Sequence, residues 1–174
     1  MLLIISFNID NYLYDRIQDF RNPYLDYVME GFSFVGSRNA GLIFCSLTLF
    51  GDNYMRDTGK GMFSSIIISQ GITTLLKLIV NRERPDGKTD RLNSSFPSGH
   101  SSGIFGVSYI LSHRYPETTI YVYSLATLVS FSRVYLGRHY PSDVIAGAII
   151  GLFSGYITEK LFKGENYGHR KDKK

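Results

Sequence analysis

Three short stretches carry the groups that could do chemistry. They are Lys77 with Arg84-Pro85, then Pro97-Ser98-Gly99-His100, then Ser132-Arg133 followed by His139 and Asp143. Lys77, Arg84 and Arg133 are fixed cations, His100 and His139 are imidazoles, and Asp143 is a carboxylate. A phosphoryl group in transfer spreads negative charge over its equatorial oxygens, so positioning and cationic stabilisation supply most of the catalysis. Arginine offers a planar fork to two phosphate oxygens, and lysine a compact point charge. The set is suited to holding a phosphate and passing it through a histidine.

The local pattern gives each residue a place. If the helix that carries Lys77 runs to Pro85, Lys77 and Arg84 lie on one face two turns apart. Pro85 disfavours helical geometry at Arg84, which ends the helix and lets Arg84 turn inward. Lys77 follows an apolar run, where a charge costs roughly 2.5–3.5 kcal/mol and marks a polar cavity. Ser98 can cap the next helix, while Gly99 permits close backbone approach to an anion at a helix N-terminus. The plainer reading of Pro-Ser-Gly is an ordinary turn and cap. His139 and Asp143 are four apart with Pro141 between them, which places them where the last helix begins. An Asp bonded to one ring nitrogen fixes the tautomer and frees the other as a nucleophile. The competing reading is that Asp143 only caps that helix. Arg82, Lys88 and Arg91 read as solvated or membrane-edge charges, and His113 and His169 as solvated bystanders.

These groups need elements to position them, and the charge-poor segments supply candidates. Residues 62–80 contain one charge, Lys77, and residues 118–132 and 144–158 contain none. Shorter segments cover 40–51 and 101–112. The average hydropathy is close to neutral and no run of 20 apolar residues is uninterrupted, yet with their flanks the segments read as about five membrane helices. Gly147, Gly151 and Gly155 form a small-xxx-small series suited to close helix packing in lipid. Upstream, Asn22-Pro23 marks a helix start. Leu25, Val28, Met29 and Phe32 then follow helical spacing, as do Leu13, Ile17 and Phe20 earlier. The expected fold is therefore all-α: a polytopic membrane bundle with N-terminal amphipathic helices at the interface. Residues 1–164 form one domain, and 165–174 a basic, mobile tail.

Five crossings put all three motifs on one membrane face. The lysine- and arginine-rich end then lies on the opposite side, which the positive-inside rule assigns to the cytoplasm. The site faces outward, in a bacterial inner membrane the periplasm. Met1–Ser6 is too short an apolar core for a signal peptide. One cysteine, Cys45, excludes an internal disulfide. No Cys/His or acidic cluster suggests a metal, and a charge of +4 is too mild to argue for nucleic acid.

At these motifs the chain resembles the type 2 phosphatidic acid phosphatase (PAP2) superfamily, which also includes bacterial acid phosphatases and vanadium haloperoxidases. The resemblance covers Lys77 to Asp143 without a departure at a motif position. It implies an α-helical fold and hydrolysis without metal or other cofactor. It casts His139 as nucleophile, Asp143 as its orienting partner, and His100 as the acid that protonates the leaving oxygen and then activates water. Lys77, Arg84, Ser98, Gly99 and Arg133 would bind the phosphate oxygens. The implied partner is a membrane lipid with a phosphate or pyrophosphate headgroup. Overall the chain looks similar to bacterial lipid A 1-phosphatases, which makes lipid A 1-phosphate the leading substrate. The alternatives are undecaprenyl pyrophosphate, phosphatidylglycerol phosphate, phosphotransfer to a second lipid, and a soluble acid phosphatase or vanadate-dependent peroxidase. A non-catalytic binder of anionic lipid forms a further class.

Overall fold

Helix signals in the sequence mark where the chain starts and stops turning. The computed structural model describes residues 2–87 and 90–162, with side chains from residue 9 onward. Lys88, His169 and the basic tail lie outside the described residues. Helix α1 spans Leu2–Gln18, α2 Pro23–Val35, α3 Arg38–Leu47, α4 Asn53–Val80, α5 Gly99–Arg114, α6 Thr119–Tyr135 and α7 Pro141–Phe162. A 3-10 turn, Thr48–Phe50, prolongs α3, and others lie at Arg91–Asn93 and Pro116–Thr118. The Asn22 side chain accepts the Leu25 amide at 3.0 Å. Ser37 and Asp52 cap α3 and α4 in the same way, at 3.2 and 2.8 Å. Each acceptor satisfies a first-turn amide that has no partner within its helix.

The centre of the bundle is made of α4, α5 and α7, and it is built from small and hydroxylated residues. Ser65, Ser69 and Thr73 of α4, Ser101 and Ser102 of α5, and Ser154 and Thr158 of α7 are buried. The glycine series on α7 lets α5 approach closely. A Cβ on Gly147 would lie 2.5 Å from the Ser98 carbonyl oxygen, and one on Gly151 would lie 2.4 Å from that of Ser102. Apart from a small buried cluster of Met62, Ile66, Val107 and Ile110, many large apolar side chains face outward: Ile67 is 56% exposed, Ile79 77% and Ile149 62%. A water-soluble bundle places such side chains inside. Here the apolar faces surround a polar, tightly packed interior, an arrangement that suits a lipid environment.

Helices α4 and α7 are long and apolar enough to cross a membrane. With 16 and 17 residues, α5 and α6 rise about 24–26 Å, and the ten residues of α3 about 15 Å. The helices alternate in direction, so the C-terminal ends of α4 and α6 share one end of the bundle with the N-termini of α5 and α7. At the opposite end, Arg114 of α5 pairs with Glu159 of α7 at 2.7 Å, both side chains nearly inaccessible. Arg114 also reaches the Thr58 hydroxyl of α4 at 3.5 Å. The two ends thus carry separate polar clusters.

Candidate active site

The first motif crosses the end of α4. That helix stops at Val80, where Asn81 adopts left-handed geometry (φ 44°) and its amide bonds to the Lys77 carbonyl. Asparagine tolerates this conformation as a helix terminator. The expected helix from Lys77 to Pro85 is therefore shorter than its spacing suggests. Arg84 reaches the site from the loop rather than from two turns along the same face. Lys77, buried, donates from Nζ to the Ser94 carbonyl. The Arg84 Nε donates to the Asn93 carbonyl at 2.6 Å. Both cations are tied to the 93–94 segment.

The second motif opens α5 as expected. Ser98 is its N-cap, and the hydroxyl accepts from the Ser101 amide at 3.4 Å. The Ser98 amide donates to the Asp143 carbonyl at 2.9 Å, joining the start of α5 to the start of α7. From α4, Gln70 Nε2 donates to the Gly99 carbonyl at 2.9 Å, and Thr73 bonds the Ser102 hydroxyl at 3.0 Å. These bonds fix the position of His100. Its ring lies beside the end of α2, where a Cβ on Gly36 would be 3.5 Å from His100 Cδ2.

The third motif is a tight turn between α6 and α7. Gly137 takes φ +70°, and the Arg138 and His139 amides both return to the Arg133 carbonyl, at 2.9 and 3.2 Å. This fold brings His139 back over the end of α6. Arg133 donates to the Ser33 hydroxyl of α2. His139 is 2% exposed, and its Nδ1 lies 2.7 Å from the Ser95 carbonyl oxygen. A carbonyl can only accept, so Nδ1 carries the proton and Nε2 holds the lone pair. Asp143 Oδ2 is 3.7 Å from Nδ1. The expected direct Asp143–His139 bond is thus replaced by a backbone carbonyl, with the carboxylate next to it. Burial pushes the His139 imidazole down to about 4, against the opposing pull of Asp143.

Lys77, Arg84, Gly99, His100, Arg133 and His139 line a single cavity of about 670 Å³. Ser98 and Asp143 are fully buried behind its wall. The hydroxyl of Ser98 is turned onto Ser101, at 3.4 Å from its amide and 3.2 Å from its hydroxyl. The cavity continues from the cations into an apolar groove bordered by Ile43, Phe44 and Leu47 of α3 and by Ile104, Val107 and Leu111 of α5. His100 and Arg133 also border a smaller polar recess of about 300 Å³ with Arg21, Glu30 and Arg138.

Arg82 differs from its sequence reading as a solvated charge. Its side chain is 10% exposed, and Nη1 donates to Asp143 Oδ1 at 2.8 Å. Its guanidinium lies over the Tyr140 ring, 4.0 Å from the centroid. Nothing in its spacing from Lys77 signals this, because its partners lie on other helices. Ser95 was also missed: its hydroxyl donates to Asp143 Oδ2, at 2.5 Å. Arg91 and His113 are exposed, as expected of bystanders.

Comparison with known proteins identifies the family. Residues 59–167 match the family model described as PAP2 superfamily. The chain is 30% identical over 121 residues to lipid A 1-phosphatase of Rhizobium johnstonii, covering 63% of this chain and 50% of that protein. It is 29% identical to phosphatidylglycerophosphatase B of Bacillus subtilis, covering 80% and 76%. The chain spans about half the length of the Rhizobium lipid A 1-phosphatases it matches. Among solved structures, Aquifex aeolicus LpxE superposes with a TM-score of 0.73 at 29% identity, covering 86% of this chain and 93% of that one. The PAP2-type phosphatidylglycerolphosphate phosphatase of Bacillus subtilis gives 0.77 at 24% identity, covering 95% and 90%, a likeness of fold. With the family model spanning more than half its length and the three motifs gathered at one end of the bundle, the chain belongs to the PAP2 superfamily.

Proposed function

We propose that the protein is an integral-membrane lipid phosphate phosphatase working through a phosphohistidine, with lipid A 1-phosphate as its leading substrate. The observation that carries this reading is the shape of the cavity. Three cations and two imidazoles stand at one end of a groove whose remaining wall is mainly apolar. A phosphate joined to a hydrocarbon matches both halves. The relatives named lipid A 1-phosphatase support the choice of lipid.

In the first step the His139 Nε2 lone pair attacks phosphorus and the bond from phosphorus to the leaving oxygen breaks. His100 gives that oxygen its proton. Arg84, Arg133 and Lys77 balance the charge on the phosphoryl oxygens. In the second step His100 takes a proton from water as the oxygen attacks phosphorus. The P–N bond then breaks and phosphate leaves. Gly99 lines the phosphate end, while Ser98 holds the helix start behind it. The scheme uses protein groups alone.

Five membrane crossings accommodate the site. Helices α4 to α7 supply four, and α3 with its 3-10 turn supplies a fifth of about 20 Å. A crossing this short calls for local thinning of the bilayer. The site end faces outward, with the cytoplasm at the Arg114–Glu159 end.

The test is phosphate release by the purified protein in detergent from lipid A 1-phosphate, phosphatidylglycerol phosphate, undecaprenyl pyrophosphate and phosphatidic acid. Release should be fastest from lipid A, insensitive to chelators, inhibited by vanadate and abolished in His139→Ala. A preference for another lipid would reassign the substrate. Normal turnover in His139→Ala would refute the nucleophile.

A further inference from the structure

Helix α7 begins at Pro141, and the residue before it, Tyr140, has no side-chain acceptor within reach of the first-turn amides. Two carboxylates do that work. Asp143 Oδ2 accepts the Tyr140 amide at 2.8 Å, the returning half of a capping box. The Ser142 amide goes to Asp10 Oδ1 of α1 at 2.9 Å, and the Ser142 hydroxyl to Asp10 Oδ2 at 2.5 Å. Asp10, 5% exposed, thus caps a helix that lies more than a hundred residues away in the chain.

Arg82 links the two carboxylates. Its Nη2 donates to Asp10 Oδ2 at 2.7 Å, and its Nη1 to Asp143 Oδ1 and the Ser142 hydroxyl, each at 2.8 Å. We propose that Asp10 is a positioning residue for the phosphoryl-transfer site, holding Arg82 so that Arg82 aims Asp143 at His139. The inference rests on the phosphohistidine reading above.

The physical reason is the geometry of guanidinium. Given one carboxylate, an arginine tends to form a two-pronged pair with it. Given two, it divides its N–H groups between them, as here. Without the Asp10 charge, Arg82 turns both prongs to Asp143. That rotation draws Asp143 Oδ2 away from Ser95 and the Tyr140 amide, and so from its place beside His139. Asp10→Asn separates the two duties of this side chain. Asparagine caps a helix as well as aspartate, so the α7 start is kept while the anion is lost.

The experiment measures kcat and KM of the full chain in detergent with a short-chain phosphatidic acid, for the original protein, Asp10→Asn, Asp10→Glu, Arg82→Lys and His139→Ala. Asp10→Asn should lower kcat about tenfold with KM almost unchanged, since orientation matters most as the bond forms. Asp10→Glu should restore most of that loss by returning the anion. A kcat for Asp10→Asn within about twofold of the original, or a change confined to KM, overturns the proposal. If Asp10→Asn does not fold, Arg82→Lys decides on the same terms, because an ammonium cannot bridge the two carboxylates with planar prongs. Undiminished turnover in His139→Ala would instead remove the phosphohistidine reading itself, whatever the Asp10 variants do.

Discussion

His139 Nδ1 sits 2.7 Å from the backbone carbonyl oxygen of Ser95, closer than to Asp143 Oδ2 at 3.7 Å. A backbone acceptor holds the ring tautomer whatever side chain occupies position 143. In a His–Asp pair where the carboxylate alone fixes the tautomer, the Asp→Asn change costs about 10⁴-fold in turnover. Here Asp143→Asn should cost less, on the order of 10²-fold in kcat with a smaller change in KM. Steady-state kinetics alongside His139→Ala checks it. Equal losses in the two variants would show that the carbonyl does not hold the ring.

Burial that lowers His139 to about 4 also sets a pH dependence. An exposed histidine ionises near 6.5, so the unfolded chain takes up this proton first as pH falls. The group's contribution to stability is complete above about 6.5 and is lost progressively as pH drops towards 4. The span amounts to roughly 3 kcal/mol. Thermal unfolding in detergent should show the original protein losing more stability than His139→Asn between those pH values. On the proposed mechanism the same neutral imidazole should keep phosphoenzyme formation from falling at pH 6.5, with an acid limb well below that. A rapid-quench measurement of labelled phosphoenzyme reads this limb directly.

The motifs were legible because their chemistry is carried by residue type: three cations, two imidazoles and an acid in order. Asn22-Pro23 and Ser98 were legible as helix starts because capping is a local property. The stop at Asn81 was not, since Pro85 offered a stronger break four residues later. The Ser95 carbonyl could not be read at all, because any residue supplies a carbonyl. Arg82 and Asp10 were hidden for another reason. Seventy-two positions separate them, and only the packing of α1 against the start of α7 brings them together. The three motifs name the candidate reacting groups. The scaffold that aims them comes from elsewhere in the chain.

The glycine series gives a packing prediction. A Cβ on Gly151 would lie 2.4 Å from the Ser102 carbonyl and 2.9 Å from the Gly106 amide nitrogen. Both are backbone atoms, so relief requires α5 and α7 to separate. Gly151→Ala should therefore destabilise by about 1–3 kcal/mol, the cost of overpacking. It should also impair activity, since α5 carries His100 and α7 carries Asp143. Ile149→Ala, on the outward face of the same helix, should alter stability far less. Unfolding temperatures of the two variants in the same detergent test the contrast. A tolerant Gly151→Ala would mean that the helices are not held at this distance.

The Arg114–Glu159 pair offers a test that leaves the chemistry alone. It lies at the end of the bundle away from the motifs, tying α5 to α7, with Thr58 of α4 beside it. Removing one partner of a buried pair leaves a charge without compensation and costs about 3–5 kcal/mol. Glu159→Ala should therefore lower stability by that order. Replacing both residues by apolar ones of similar volume, Arg114→Met with Glu159→Leu, should recover most of the loss, because no buried charge then remains. In the double variant kcat should stay near its original value, since neither residue borders the candidate active-site cavity. A large fall in kcat at restored stability would mean that this end of the bundle governs the geometry of the other.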